Sequence, residues 1–214
     1  MSQKKYCFLH KCPLGYLFIL MAITMAYSAQ VQTGFNTLGV QRWILRGPSY
    51  TGVFGYMWLH LGLIHLLESL VLLWFFGRKA ARELGPILFI TVYLGCGLVA
   101  ALLHLAFDGR PTVGASGAVM GILGLHATLY YRDFGRIGPL LLSIWVGLTL
   151  GFGIAHAGPA AHWAHFGGFL TGVGLASVLL VFRRADAHRV HPDWARWLRV
   201  STDAANKALV KASL

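Results

Sequence analysis

Six stretches of this chain are almost free of charge and close to bilayer length: Leu14–Val31, Trp58–Phe76, Pro86–Phe107, Ser116–Tyr131, Ile137–Ile154 and His162–Phe182. A helix needs roughly 20 apolar residues to cross the hydrocarbon layer. Within that layer every backbone N–H and C=O must be bonded internally, which leaves only helices and closed barrels. Barrel strands alternate polar and apolar residues over about ten positions. These runs are apolar throughout, so they read as helices. The expected fold is therefore all-α, a polytopic membrane bundle of six transmembrane helices. Composition agrees: 57% hydrophobic and 12% charged residues in 214 leave too few charges to clothe a water-facing surface. The organisation expected is a tail over 1–13, a membrane domain over 14–182 and a basic tail over 183–214.

The charges fall between the runs and set an orientation. With the N-terminus inside, the inner segments hold Lys4, Lys5, Lys11, Arg78, Lys79, Arg82, Arg132 and Arg136. They also hold Arg183, Arg184, Arg189, Arg196, Arg199, Lys207 and Lys211. The outer segments hold only Arg42, Arg46 and Arg110. Fifteen of the 18 basic residues thus lie inside, as the positive-inside rule requires. Both tails are expected in the cytoplasm, and a bacterial inner membrane is the simplest location, with an organelle membrane as the alternative. A net charge of +11 spread in short clusters between membrane spans is not the continuous basic face that nucleic acid needs, so the expected partner is the lipid bilayer.

This orientation starts the second, fourth and sixth runs from the outer side. His60 and His65 then fall in the first turns of the second helix, Ser116 at the start of the fourth and His165 near the start of the sixth. All four lie at one depth, just below the outer interface. Intramembrane ionisable groups are rare and mark function by default. Helix four carries Gly117, Gly121 and Gly124, and helix six carries Gly168 and Gly172. Small residues at this spacing let helices approach closely. If the two glycine faces meet, Ser116 and His165 come within reach. The plainer reading is that the glycines only pack and Ser116 caps its helix.

Three segments carry a resemblance. They are Gly114-Ala115-Ser116-Gly117-Ala118-Val119-Met120-Gly121, then Ala164-His165-Phe166-Gly167-Gly168-Phe169-Leu170-Thr171-Gly172, and His60-Leu61-Gly62-Leu63-Ile64-His65 followed by Trp74-Phe75-Phe76-Gly77. In this order they resemble the rhomboid family of intramembrane serine proteases. The resemblance implies a six-helix rhomboid-like bundle that needs no cofactor and cleaves transmembrane segments of other proteins. It makes Ser116 the nucleophile and His165 the general base, with no third carboxylate. The Ser116 backbone N–H and the His65 side chain would hold the oxyanion. Gly114 would let the substrate backbone approach closely. The chain departs from the family pattern in three places. The asparagine usual four residues after the histidine matching His65 is Ser69, a shorter donor. The tyrosine usual four residues after the serine is Met120. The Trp-Arg pair of the first outer loop has no match.

Other residues support or compete with this reading. His60 is expected to hydrogen-bond the first outer loop or the helix-four region, with Gly117 supporting the site. Glu68, three positions after His65, reads either as a partner that reshapes the oxyanion site or as a group facing a water cavity or polar loop. No His-Glu-x-x-His zinc motif occurs, so no metal is expected. Cys7, Cys12 and Cys96 offer no disulfide framework. Trp194, Trp197 and Leu198 suggest a short amphipathic segment on the cytoplasmic membrane face. Two alternatives stay open: a rhomboid-like protein that binds membrane clients without cutting, and a small-molecule or metal transporter. The oligomeric state is undetermined at this level.

Overall fold

Gly85 and Pro86 show how this sequence punctuates its helices. Gly85 has a left-handed φ of 77° and bonds its N–H back to the Ala81 carbonyl, ending one helix. Pro86 then opens the next at its first turn, where a missing N–H costs nothing. A computed structural model describes residues 13–130 and 162–188 in this way, with side chains through 182. The predicted fifth run, Ile137–Ile154, and the segment around Trp194 lie outside the described residues.

The helices are α1, Leu14–Thr33; α2, Leu38–Gln41; α3, Tyr50–Gly55, which tightens into a 3-10 turn at Tyr56–Trp58; and α4, Leu63–Leu72. A π-helical turn, Leu73–Gly77, joins α4 to α5, Arg78–Leu84. Then come α6, Pro86–Phe107; α7, Ser116–Leu129; and α8, His162–His188. No strand occurs among the described residues beyond a two-residue bridge between Leu45 and Thr112. The chain is a polytopic helical membrane protein.

Among the described residues, three helices are long and apolar enough to cross a bilayer: Leu14–Thr33, Pro86–Phe107 and His162–Phe182. A fourth candidate is the bent pair Tyr50–Trp58 and Leu63–Leu84, whose halves meet at 83°. The count of six is thus not reached among the described residues. The second run also begins later than its hydropathy suggests. Residues 59–62 are non-helical, so His60 stands in a connecting segment rather than in the first turn of a helix.

The chain divides into one unit from Met1 to Ala176 and another from Ser177 to Leu214. In the second, Val178, Val181 and Phe182 are exposed apolar positions on the helix. In the first, α7 is the central element. Every residue from Gly117 to His126 is buried, the pattern of a helix enclosed on all sides. Its 14 residues rise only about 21 Å, less than the roughly 30 Å hydrocarbon layer. A helix this short, placed inside a bundle, can start well below a membrane surface. Its glycines make the enclosure possible. A Cβ on Gly168 would overlap the Gly117 carbonyl oxygen, one on Gly172 the Gly121 carbonyl, and one on Gly124 the Phe169 carbonyl. The two glycine faces therefore meet, backbone against backbone. On the other flank a Cβ on Gly121 would overlap Cys96 of α6.

At the opposite end of α7, the π-helical turn meets a histidine. The His126 Nδ1–H donates to the Phe76 carbonyl at 3.0 Å, and the Lys79 ammonium sits 3.9 Å from the centre of the Tyr130 ring. Such a turn leaves carbonyls without their α-helical partners, and here a side chain from α7 satisfies one.

Candidate active site

Ser116 is the first residue of α7, and His165 lies in the first turn of α8. Close contact of the two helices at Gly117 and Gly168 brings their starts together. His165 Nε2 lies 2.8 Å from Ser116 Oγ. With the imidazole neutral and its proton on Nδ1, the hydroxyl donates to Nε2. This geometry lets a base take the serine proton as the oxygen attacks. His165 is 5% exposed, and its Nδ1 is buried without a hydrogen-bond partner among the described residues. Among the described residues no carboxylate meets the ring, and helix packing holds it.

The segment ahead of Ser116 is pinned at several points. Arg110 donates from Nε and Nη2 to the two Asp108 carboxylate oxygens at 2.6 and 2.8 Å, holding that carboxyl below the usual carboxylate range. The His104 Nε2–H donates to the Arg110 carbonyl at 2.7 Å. Thr112 and Leu45 exchange both backbone hydrogen bonds, at 3.0 and 3.1 Å. The Gly114 N–H donates to the Tyr56 carbonyl at 2.8 Å, and the Tyr56 hydroxyl donates to the Gly97 carbonyl at 2.8 Å.

Gly114 is required twice over. Its φ of 134° is unfavourable for any other residue. A Cβ there would also stand 2.7 Å from His65 Cε1 and 2.8 Å from His65 Nε2. The bare glycine thus lets the His65 ring lie against the serine loop. The Leu61 N–H donates to His65 Nδ1 at 3.4 Å, which makes Nε2 the protonated nitrogen and a donor on the Ser116 side. The first N–H groups of α7 have no acceptor within their own helix. The His65 ring and these N–H groups thus both border the loop Gly114–Ser116.

His60 does not face the serine oxygen. Its ring accepts the Ala115 N–H at Nε2, 3.4 Å away, and stacks edge-on against His65 with ring centres 5.1 Å apart. Its backbone is clamped by Gln30 of α1. The Gln30 amide donates to the His60 carbonyl at 2.5 Å and accepts the His60 N–H at 3.1 Å. Gln30 escaped the sequence reading. The available signal was a lone amide in an uncharged membrane run, where an unpaired polar group is costly.

Two predicted site residues are not directed at the serine. Ser69 is buried, but its hydroxyl donates to the His65 carbonyl one turn back, at 3.3 Å. Glu68 is exposed on the other side of α4 and makes no ion pair or hydrogen bond with His65 among the described residues. The reason is the helical period: neighbouring residues point about 100° apart, so a face that buries Ser69 turns Glu68 outward. Gly117 packs against Ala100 and Tyr56, where a Cβ would stand 2.8 and 3.0 Å from them.

A serine and a histidine thus lie within hydrogen-bond reach at the starts of two closely packed apolar helices. The family profile for the Rhomboid domain matches residues 47–182, and this chain belongs to the rhomboid family. It is 37% identical over 132 residues to RHOMBOID-like protein 4 of Arabidopsis thaliana, covering 58% of this chain and 32% of that protein. It is 38% identical over 133 residues to RHOMBOID-like protein 2 of the same plant, covering 58% and 41%. To Rhomboid protease GluP of Bacillus subtilis (strain 168) it is 29% identical over 177 residues, covering 77% and 34%. The matches span 32% to 41% of the length of these relatives.

Proposed function

We propose that this protein is an intramembrane serine endopeptidase that cleaves transmembrane segments of other membrane proteins. The observation that carries this reading is the 2.8 Å contact between Ser116 Oγ and His165 Nε2. Ser116 attacks the scissile carbonyl while His165 takes its proton, then returns it to the leaving amine. The oxyanion forms beside His65 Nε2 and the Ser116 N–H, donors that act most strongly where water is excluded. Carbonyls of an intact substrate helix are already bonded and shielded, so the substrate must unwind near the cut. Residues 14–182 act as the protease domain between the tails 1–13 and 183–214. The 15 of 18 basic residues that fall in alternate connecting segments and the tails support a reading with both tails in the cytoplasm and the site toward the outer face. Similarity to a protein named a rhomboid protease supports the same activity.

A second reading, a client binder without turnover, draws on Ser69. Its hydroxyl is spent on a helix carbonyl, which leaves fewer donors for an oxyanion. Fluorophosphonate labelling of the purified protein separates the two. The protease reading predicts labelling of the native chain and none of Ser116→Ala or His165→Ala. An unlabelled native protein that still captures transmembrane clients would favour the binder.

A further inference from the structure

Two buried histidines, one on α6 and one on α8, hold a spare donor and a spare acceptor. His165 receives the Ser116 hydroxyl at Nε2, so its own proton is on Nδ1. His104 bonds the Arg110 carbonyl through Nε2 at 2.7 Å. A carbonyl only accepts, so the neutral His104 ring carries its proton on Nε2 and a lone pair on Nδ1. Both Nδ1 atoms are buried and have no hydrogen-bond partner among the described residues. Buried polar groups are costly to leave unmet.

Packing sets the two rings at one level. Phe107 at the end of α6 stacks on Trp163 at the start of α8, with ring centres 4.4 Å apart. One turn along each helix, a Cβ on Gly167 would stand 2.6 Å from the Leu103 side chain. These contacts run antiparallel. In that register His104 and His165 differ in height by about 1.5 Å, one residue rise. The rings also turn toward the same element. Ala100, one turn before His104, faces the start of α7, where a Cβ on Gly117 would stand 2.8 Å from it. His104 shares that face and is fully buried. His165 reaches Ser116, the neighbour of Gly117. The titratable groups acting on His165 are His162 of its own helix, His65 of α4 and His104 of α6. His65 already takes the Leu61 N–H at Nδ1, and His162 is half-exposed. Of the three, His104 alone offers a buried, uncommitted lone pair. Asp108, one turn after His104, spends both carboxylate oxygens on Arg110. The two Nδ1 atoms share no direct bond, and a water that accepts from one and donates to the other satisfies both.

We propose that His104 is a positioning residue for His165: one buried water accepts the His165 Nδ1–H and donates to His104 Nδ1. The inference rests on the reading of Ser116 and His165 as nucleophile and base. Such a base is commonly oriented by a third group. A carboxylate in that place would bring a charge into the apolar layer, whereas a neutral imidazole accepts without one. As Ser116 attacks, its proton moves to His165 Nε2 and then to the leaving amine. The Nδ1 proton stays on His165, and its hydrogen bond strengthens while that ring is positive. His104 neither gains nor loses a proton.

The test follows the fluorophosphonate labelling rate against pH, beside NMR of the full chain carrying isotope-labelled histidine. His104→Leu removes both ring contacts. His104→Asn keeps an acceptor near the place of Nδ1, and His104→Gln keeps a donor near the place of Nε2. His104→Leu should slow labelling by about tenfold or more. It should also move the acid limb of the profile to lower pH, because an unsupported imidazolium is harder to form. His104→Asn should recover most of the rate and the native limb, and His104→Gln should not. A role confined to holding the Arg110 carbonyl predicts the reverse order, and that result would overturn the proposal. The His165 Nδ1–H resonance, identified by its loss in His165→Gln, should lie downfield and exchange slowly in the native chain. In His104→Leu it should move upfield or exchange away, and an unchanged resonance would overturn the proposal. If His104→Leu does not fold, His104→Asn and His104→Gln decide by the same two readouts. A folded native chain that does not label defeats the protease reading, and the resonance then decides the His104 contact by itself.

Discussion

The serine depends on neighbours that never touch it. His65 is placed by the bare backbone of Gly114 and by the Leu61 N–H, so its Nε2–H is aimed at the serine side. Ser69 lies one turn on and gives its proton to the helix. His65→Ala should therefore lower turnover by about 10²–10³, the usual cost of one oxyanion donor. Ser69→Ala should cost less than about tenfold, or about 1.4 kcal/mol. Turnover of one substrate by both variants in matched detergent checks this ranking, and equal losses would make the hydroxyl a principal donor. Gln30 acts at one further remove. Gln30→Leu strands the buried N–H and C=O of His60, each costing roughly 1–3 kcal/mol. We expect a lower melting temperature and at least a tenfold loss of fluorophosphonate labelling, while Gln32→Leu on the exposed side changes neither.

Among the elements, α7 and α8 do most to define the site, because glycines let their backbones touch. Gly168→Ala would drive a methyl into the Gly117 carbonyl and push the helices apart. Overpacking of this kind costs about 1–3 kcal/mol, and a displacement near 1 Å can cost about a hundredfold in rate. Gly174 has open space where its Cβ would go, so Gly174→Ala should be neutral in both melting temperature and labelling rate. Similar damage from both would show that helix propensity, not contact, is at stake. The α7–α8 contact was legible in the sequence because glycine spacing and span polarity are both periodic signals. The start of α4 was not. Hydropathy runs unbroken through Leu59–Gly62, but His60 is held by Gln30 and Ala115, partners 30 and 55 residues away. Long-range hydrogen bonds leave no local period to read. The same holds for Glu68: being three residues from His65 suggested a pair, whereas helix rotation turns it outward.

At the scale of the whole molecule, the short, enclosed α7 carries the serine as its first residue, and charge asymmetry supplies the proposed orientation. One span, α6, separates Arg82 from Arg110. Cysteines placed there in turn, Arg82→Cys and Arg110→Cys, should react with an impermeant thiol reagent from opposite sides of an oriented membrane. Reaction of both from one side would contradict the topology. The central claim is that Ser116 and His165 cut peptide bonds within a bilayer. It is tested most directly by reconstituting the purified chain with a single-span substrate bearing helix-breaking residues near its outer end, then following fragments by mass spectrometry. The account predicts cleavage within or beside that transmembrane segment by the native protein and none by folded Ser116→Ala or His165→Ala. Equal cleavage by either variant, or no cleavage by a native protein whose fold is intact, would contradict it.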